Sequence, residues 1–134
     1  MKLKALKSLV AEDDATSRAL MQSLLSDYGQ CDISSDGKEA VDATRRAWEA
    51  NESYDLICMD LRMPVMDGQQ AIREIRQQEK LSGALKTSKI IVTTAYSDMQ
   101  SITSALLGRC DAYLVKPIDT AKLLAELRTL GLVE

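Results

Sequence analysis

Short apolar runs alternate with longer amphipathic segments along the chain. Four short runs are rich in aliphatic and β-branched residues, which favours β-strands, and they read LKSLVA, YDLICM, SKIIVTT and DAYLV. A weaker strand pattern, QCDIS, stands between the first two. The segments between them carry apolar residues at helical spacing. In the first, Leu20, Leu24 and Tyr28 form one stripe, with Met21 and Leu25 beside it. The pattern predicts five repeats of a strand followed by a helix.

Polar residues suited to capping stand at the predicted helix starts. Pairs with capping-box spacing are Asp36 and Glu39, Asp67 and Gln70, and Ser97 and Gln100, while Asp14 and Asp119 suit single N-caps. The helix faces expected to point inward carry Val41, Thr44 and Trp48, then Ile72 and Ile75, and finally Leu123, Leu124 and Leu127. The segment Glu79–Lys89 is expected to fray into a surface connection.

Strands that alternate with helices form parallel sheets covered on both faces, which explains the nearly continuous apolar runs of strands one, three and four. A chain of 134 residues is most economically one domain, so residues 1–134 are predicted to form a single α/β unit.

Composition removes several classes of function. The net charge is -3, with Lys and Arg scattered, so no surface for direct nucleic-acid binding is expected. The chain has no histidine, which excludes Ser-His and Cys-His pairs and any His-ligated metal. Its three cysteines are far apart and suggest buried thiols in a reducing cytoplasm. No apolar run approaches the roughly 20 residues that span a bilayer, so no membrane association is expected.

Polar side chains recur where the predicted strands end. Strand one ends at Glu12 and Asp13, strand three at Asp60, strand four at Thr94 and strand five at Lys116. Ligands of open parallel sheets bind outside the carboxyl ends of the strands, so these groups are expected to share one edge. Clustered carboxylates repel one another unless a cation neutralises them, and oxygen ligands without His or Cys favour Mg²⁺ or a similar ion such as Mn²⁺. The set suits phosphoryl chemistry, although it does not identify the modified carboxylate.

The motifs LVAEDD, DLICMDLRMPVMDG, VTTAYS and YLVKP, in this order, resemble the receiver domain of bacterial two-component response regulators. The resemblance covers essentially the whole chain and implies a flavodoxin-like, doubly wound (βα)5 fold with strand order 2-1-3-4-5. The resemblance implies that Asp60 is the phosphoacceptor and that Mg²⁺ is bound by Glu12, Asp13, Asp60 and the backbone carbonyl of Arg62. It also implies that Thr94 and Lys116 contact the phosphoryl group. The switch residues would be Thr94 and Tyr113, and the Lys116–Pro117 peptide bond would be cis.

Two residues depart from the common pattern in a way that bears on phosphoryl lifetime. Arg62 and Tyr96 stand two residues beyond Asp60 and Thr94, at positions that tune this lifetime in the family. Bulky side chains there obstruct the attacking water, so slow self-dephosphorylation is expected. In the first acid position, Glu12 replaces the more frequent aspartate.

The resemblance implies a phosphorylation switch rather than an enzyme acting on a separate substrate. A histidine kinase or histidine phosphotransfer protein would donate the phosphoryl group. The surface of the fourth predicted helix, fifth strand and fifth predicted helix would then change its binding to an unknown downstream protein. The sequence ends at Glu134 and leaves no room for an output domain, so either the protein signals by partner binding alone or this sequence is a piece of a longer protein. A monomer or a weak phosphorylation-dependent dimer is expected.

Three alternatives stand beside this interpretation. A phosphohydrolase of the haloacid-dehalogenase type needs a second acid two residues after the nucleophile, where this chain has Arg62. A pseudo-receiver acting only in binding usually lacks an acid, the threonine or the lysine, and all are present. A nucleotide or flavin binder is disfavoured because no glycine-rich or hydroxyl-rich phosphate loop follows the first strand.

Overall fold

The computed structural model describes residues 5–84, 86–95 and 108–134. The strands are β1 (Ser8–Ala11), β2 (Cys31–Ser34), β3 (Leu56–Asp60), β4 (Lys89–Thr94) and β5 (Ala112–Val115). The helices are α1 (Ala15–Ser26), α2 (Gly37–Glu49), α3 (Gly68–Ser82) and a C-terminal helix (Thr120–Thr129). The fourth predicted helix, with Ser97 and Gln100, lies outside the described residues, as does Tyr96.

All five strands form one parallel sheet in the order β2-β1-β3-β4-β5, which confirms the predicted fold class. The register brings the strand ends to one edge. Ala11 pairs with Met59, Asp60 with Thr93, and Thr94 with Val115. The residues that follow β1, β4 and β5 therefore emerge beside the end of β3.

Two apolar clusters cover the two faces of the sheet. One includes Leu9, Ile57 and Val92 from the strands, with α2 and α3 packed on it. The other includes Val10, Cys58 and Ile91, with α1 and the C-terminal helix packed on it. Neighbouring strand residues point to opposite faces, so a fully apolar run fills both clusters at once. This burial holds β1 and β3 rigidly beneath the polar edge.

The predicted N-caps are confirmed wherever the structure describes them. The Asp36 carboxylate accepts a hydrogen bond from the Glu39 backbone at 2.7 Å, and Asp67 accepts one from Gln70 at 2.9 Å. Asp14 and Asp119 cap α1 and the C-terminal helix in the same manner. Each cap satisfies a backbone donor that the helix itself leaves unpaired.

Two large apolar residues on the helices are more exposed than the sequence pattern suggests. Leu20 is 51% exposed, because α1 lies on the sheet through Met21 and Leu25, one residue further round the helix. Trp48 is 36% exposed rather than packed in the core. It stands in the last turn of α2 and, with Tyr54, lines a surface groove beside the sheet.

Residues 79–84 and 86–89 are more regular than predicted. Helix α3 continues to Ser82 and ends at Gly83, whose φ of 70° is the left-handed conformation typical of a helix C-cap. Glu79 lies within the helix. Its carboxylate accepts a hydrogen bond from the Ser88 backbone N–H at 2.8 Å and forms an ion pair with Arg76 at 2.7 Å. These contacts fix the chain where it enters β4.

Cys31 and Cys58 are buried free thiols, as predicted, whereas Cys110 is half-buried. Among the described residues, no helix combines the length and the apolar character that crossing a bilayer requires.

Candidate functional site

Three predicted acids meet at the carboxyl edge of the sheet. Glu12 follows β1 directly and Asp60 ends β3, so the register places them side by side. One carboxylate oxygen each from Glu12, Asp13 and Asp60 lies within 4.8 Å of the others. Glu12 and Asp60 are buried, and Asp13 is exposed at the mouth of the cluster. Hard oxygen donors at this spacing, open to solvent on one side, fit Mg²⁺ or Mn²⁺.

Lys116, just beyond β5, reaches into this cluster. Its Nζ donates to Glu12 Oε1 at 2.7 Å and to Oε2 at 3.0 Å, and it lies 3.2 Å from Asp60 Oδ2. Its backbone N–H donates to the carbonyl of Thr94 at 2.7 Å, which fixes where the side chain begins. The structure thus brings the lysine and the acids of the sequence prediction together.

The cluster carries more negative than positive charge. Burial, a hydrogen bond with Asp60 and the charge of Asp60 raise the pKa of Glu12 to about 7, although Lys116 acts in the opposite direction. Burial lowers the pKa of Lys116, but its hydrogen bond to Glu12 and the Asp60 charge outweigh burial, so its pKa is raised. One ammonium leaves part of the acid charge uncompensated, and a divalent cation would neutralise the remainder.

The loop after Asp60 is shaped by close backbone contacts. The Arg62 N–H points to Asp60 Oδ1 at 3.4 Å, and the Gly68 N–H donates to the Leu61 carbonyl at 2.8 Å. A Cβ on Gly68 would collide with the Asp60 carbonyl oxygen, so only glycine allows α3 to start this close to β3. Val65 has a φ of 68°, which is unusual for a β-branched residue.

A second glycine supports the same loop from α2. The Gly37 N–H donates to the Met66 carbonyl at 3.0 Å, and a Cβ at this position would collide with that carbonyl oxygen. The sequence prediction missed the roles of Gly37 and Gly68. The DG pairs that contain them were a visible signal, but such pairs indicate a turn without revealing a neighbouring backbone.

The two predicted switch residues occupy adjacent strands. Thr94 is buried at the end of β4, and its hydroxyl donates to the Ala95 carbonyl at 3.2 Å. Tyr113 in β5 is half-buried against the apolar cluster under α2 and α3. A hydrogen bond with Cys110, together with burial, raises the pKa of Tyr113 to about 12. The Lys116–Pro117 peptide bond is cis.

Asp14 stands outside the acid cluster. Its carboxylate caps α1, and hydrogen bonds from Ser17 lower its pKa. Arg18, one turn into α1, was not predicted as a site residue. Its guanidinium donates to the Glu12 carbonyl at 2.9 Å and so holds the loop that carries the acids. No sequence pattern distinguishes this arginine from an ordinary surface residue.

Comparisons with known proteins agree on one family. Residues 9–128 match the family model described as the response regulator receiver domain. A hybrid signal transduction histidine kinase G of Dictyostelium discoideum is 37% identical over 117 residues, which are 85% of this chain and 3% of that protein.

Two solved structures are similar to this chain, at 28% and 30% sequence identity. A Saccharomyces cerevisiae complex of the histidine phosphotransfer protein Ypd1 with the receiver domain of Ssk1 gives a TM-score of 0.81 at 28% identity, covering 94% of this chain and 88% of the matched chain. The receiver domain of the sensor histidine kinase PA1611 from Pseudomonas aeruginosa was solved with magnesium in its active-site cleft. It gives a TM-score of 0.76 at 30% identity, covering 96% of this chain and 99% of the matched chain. The chain spans between 3% and 51% of the lengths of three curated relatives.

Proposed function

The chain belongs to the response regulator receiver domain family, and from this premise we propose that it is a switch phosphorylated on Asp60. The observation that carries the proposal is the meeting of Asp60, two further acids and Lys116 at one sheet edge. The buried strand β3 aims Asp60 at that edge. No second acid stands two residues later, where Arg62 lies exposed, so the phosphohydrolase alternative has no support.

Mg²⁺ or Mn²⁺ is the cofactor that the donor set fits. Glu12, Asp13 and Asp60 would supply carboxylate oxygens, and we assign the fourth protein ligand to the backbone carbonyl of Arg62. When bound, the cation neutralises charge on the phosphoryl oxygens and on the acids. A solved relative's receiver domain holds magnesium in its active-site cleft, which supports this assignment.

Phosphoryl transfer needs one oxygen of Asp60 as the nucleophile. That oxygen forms the new bond to phosphorus as the bond to the donor's nitrogen breaks, and the nitrogen keeps the electron pair. Lys116 lies 3.2 Å from Asp60 Oδ2, close enough to stabilise charge on the incoming phosphoryl group. The Thr94 hydroxyl would exchange its Ala95 partner for a phosphoryl oxygen. The result is an aspartyl-phosphate.

The new charge would be communicated through β4 and β5. Thr94 and Lys116 are joined by a backbone hydrogen bond of 2.7 Å, so movement of one side chain toward the phosphoryl group affects both strands. Tyr113 would then change its packing and alter the surface of β5, the C-terminal helix and the fourth predicted helix. A charge that biases a two-state element is sufficient for such a switch.

The partner that fits this chemistry is a histidine kinase or a histidine phosphotransfer protein in the cytoplasm. The solved complex of a receiver domain with a histidine phosphotransfer protein supports the second choice. A downstream protein would recognise the phosphorylated surface, with the chain acting as a monomer or a weak phosphorylation-dependent dimer.

Intact-mass spectrometry with acetyl phosphate tests the proposed function. We expect the chain to gain the mass of one phosphoryl group in the presence of Mg²⁺, and little of it in EDTA. No adduct, or an equal yield in EDTA, would contradict the proposal.

Mg²⁺ should stabilise the chain, and Asp13→Asn should remove most of this effect. At ten times the Kd, linkage adds about 1.4 kcal/mol, which corresponds to ~5 °C in Tm for a domain of this size. Differential scanning calorimetry with MgCl2 or EDTA measures this shift. The matched control is Asp14→Asn, which changes the neighbouring acid but keeps a capable helix cap. Equal Mg²⁺ shifts in both variants would show that Asp13 is not a ligand.

Arg62 and Tyr96 should slow the loss of the phosphoryl group. We expect the phosphorylated chain to persist for minutes or longer, and Arg62→Ala and Tyr96→Ala to shorten its half-life severalfold by admitting water. Decay of the adduct is followed by intact mass after removal of the donor. Arg73→Ala, at an exposed position of α3, is the control. Decay within seconds, unaffected by either substitution, would show that these side chains do not protect the phosphoryl group.

A further inference from the structure

The guanidinium of Arg76 in α3 connects this helix to two other parts of the chain. Its Nη1 donates to the Glu79 carboxylate at 2.7 Å and to the Ser88 carbonyl at 2.8 Å. Its Nε donates to the Arg109 carbonyl at 2.8 Å, and its Nη2 donates to the Asp111 carboxylate at 3.1 Å. These four contacts form the Arg76 clamp, which holds the residue before β4 and the turn before β5 against α3.

The clamp requires the planar, branched side chain of an arginine. A guanidinium donates in several fixed directions, whereas a lysine carries its three donors on a single nitrogen. A lysine at position 76 could not bridge Ser88, Arg109 and Asp111 together. The side chains of Arg76, Glu79 and Asp111 are 20%, 15% and 27% exposed, so their ion pairs are better shielded from water than a surface pair.

Asp111 makes the clamp part of the pairing between β4 and β5. The carboxylate oxygen that accepts from Arg76 also accepts from the Ile90 backbone N–H at 2.8 Å. In return, the Asp111 backbone N–H donates to the Ile90 carbonyl at 2.8 Å. The other end of this strand pair carries the backbone hydrogen bond between Lys116 and Thr94. The two strands are therefore fixed at the sheet edge opposite the acid cluster.

The turn that the clamp holds also carries a hydrogen-bond partner of Tyr113. Cys110 lies between the two turn residues that Arg76 binds, and its side chain forms a hydrogen bond with that of Tyr113. Both side chains pack against the apolar cluster under α2 and α3. In the proposed function, Tyr113 changes its packing when Asp60 is phosphorylated. A contact that holds Tyr113 in the unphosphorylated chain opposes this change.

We propose that Arg76 is a positioning residue that restrains the switch, because through the turn before β5 it keeps Tyr113 in the packing of the unphosphorylated chain. The proposal rests on the proposed function for the role of Tyr113. A restraint that acts in one of two arrangements lowers the affinity of any ligand that selects the other. The clamp therefore sets how completely the chain switches when Asp60 is phosphorylated, although it lies at the opposite edge of the sheet.

The first test asks whether the clamp holds Tyr113 when no phosphoryl group is present. The ring signals of Tyr113, assigned with Tyr113→Phe, are recorded by ¹H–¹³C NMR in MgCl2, with and without beryllofluoride as an analogue of the phosphoryl group. Without beryllofluoride, Arg76→Lys should move these signals part of the way toward their beryllofluoride-bound positions. The matched control is Arg73→Lys, at an exposed position of α3, which should leave them in place. Signals that coincide in Arg76→Lys and the unmodified chain would overturn the proposal.

The second test measures beryllofluoride affinity by isothermal titration calorimetry at a fixed MgCl2 concentration. We expect Arg76→Lys to bind at least about threefold more tightly, since Tyr113 then moves at a lower cost in free energy. A merely structural role for Arg76 would not raise this affinity. The gain should vanish in the Tyr113→Phe background, where the hydroxyl that Cys110 holds is absent. An unchanged or weaker affinity, or an equal gain in both backgrounds, would show that the clamp supports only the fold.

Asp111→Asn serves as the second variant if Arg76→Lys does not fold. Its amide oxygen can still accept from the Ile90 backbone N–H, but the ion pair with Arg76 is lost. It should move the Tyr113 signals and raise the beryllofluoride affinity in the same direction as Arg76→Lys. Resting signals and an unchanged affinity in Asp111→Asn would overturn the proposal as well.

The restraint and the proposed function fail in different ways. If beryllofluoride binds the unmodified chain but leaves the Tyr113 signals in place, the switch role of Tyr113 is wrong. If it moves them while Arg76→Lys changes neither signals nor affinity, the proposed function stands and the restraint is wrong. Should the unmodified chain not bind beryllofluoride, the signals of Arg76→Lys and the unmodified chain without it would still decide whether the clamp holds Tyr113.

Discussion

Replacing Gly68 by alanine should lower the free energy of unfolding by about 3 kcal/mol, the upper end of the usual cost of overpacking. The new Cβ would collide with the Asp60 carbonyl oxygen and approach the Leu61 backbone. These are backbone atoms of buried residues, so no flexible side chain can move aside. Relief would require α3 to shift away from β3, which would weaken the 2.8 Å hydrogen bond from Gly68 to Leu61. Urea denaturation in EDTA measures the change.

Gly131→Ala provides the matched control. Gly131 has a φ of 73° and open space around the position of a Cβ, so this substitution carries only the cost of a left-handed alanine, about 1 kcal/mol. If Gly68→Ala were no more destabilising than Gly131→Ala, the close approach of α3 to β3 would be wrong. The folded fraction of the Gly68→Ala variant should also give a lower yield of phosphoryl adduct, because the strain acts directly on the Asp60 backbone.

Asp60→Asn should abolish the phosphoryl adduct. The asparagine amide has nearly the shape of the carboxylate, but it lacks the anionic oxygen that attacks phosphorus. Neither Glu12 nor Asp13 is expected to substitute for it, because Lys116 and the cation would hold the Glu12 oxygens and Asp13 lies at the exposed mouth of the cluster. Intact mass after acetyl phosphate and Mg²⁺ should show the unmodified chain alone.

Asp67→Asn is the control for this substitution. It makes the same chemical change in the same loop, and asparagine caps a helix as well as aspartate does, so α3 should be unaffected. We expect its phosphoryl adduct to form as in the unmodified chain. An adduct that survives Asp60→Asn would place the acceptor on another residue.

The sheet was predictable because its signals are local and repeated. Each strand is a short apolar run, and the caps Asp36 and Asp67 mark helix starts within a few residues. Once the strands are parallel, the register alone brings Glu12 beside Asp60, so the acid cluster follows from the positions of the strand ends.

Other features depend on contacts that a linear pattern does not contain. Periodicity predicts an apolar stripe on α1, but the orientation of the helix on the sheet decides that Met21 is buried and Leu20 exposed. The position of the Lys116 ammonium depends on its contact with Glu12, which is 104 residues away in the sequence. The tight fit of Gly68 depends on a backbone that only the folded chain brings near.

The most direct test of the central claim is to locate the phosphoryl group. After acetyl phosphate and Mg²⁺, borohydride reduces an aspartyl-phosphate to homoserine, which peptide mass spectrometry assigns to a position. Phosphorylation of Asp60 predicts homoserine at position 60 in the tryptic peptide that spans residues 47–62, and none when Mg²⁺ is replaced by EDTA. Reduction at position 13 or 14 instead, or at no aspartate, would contradict the account.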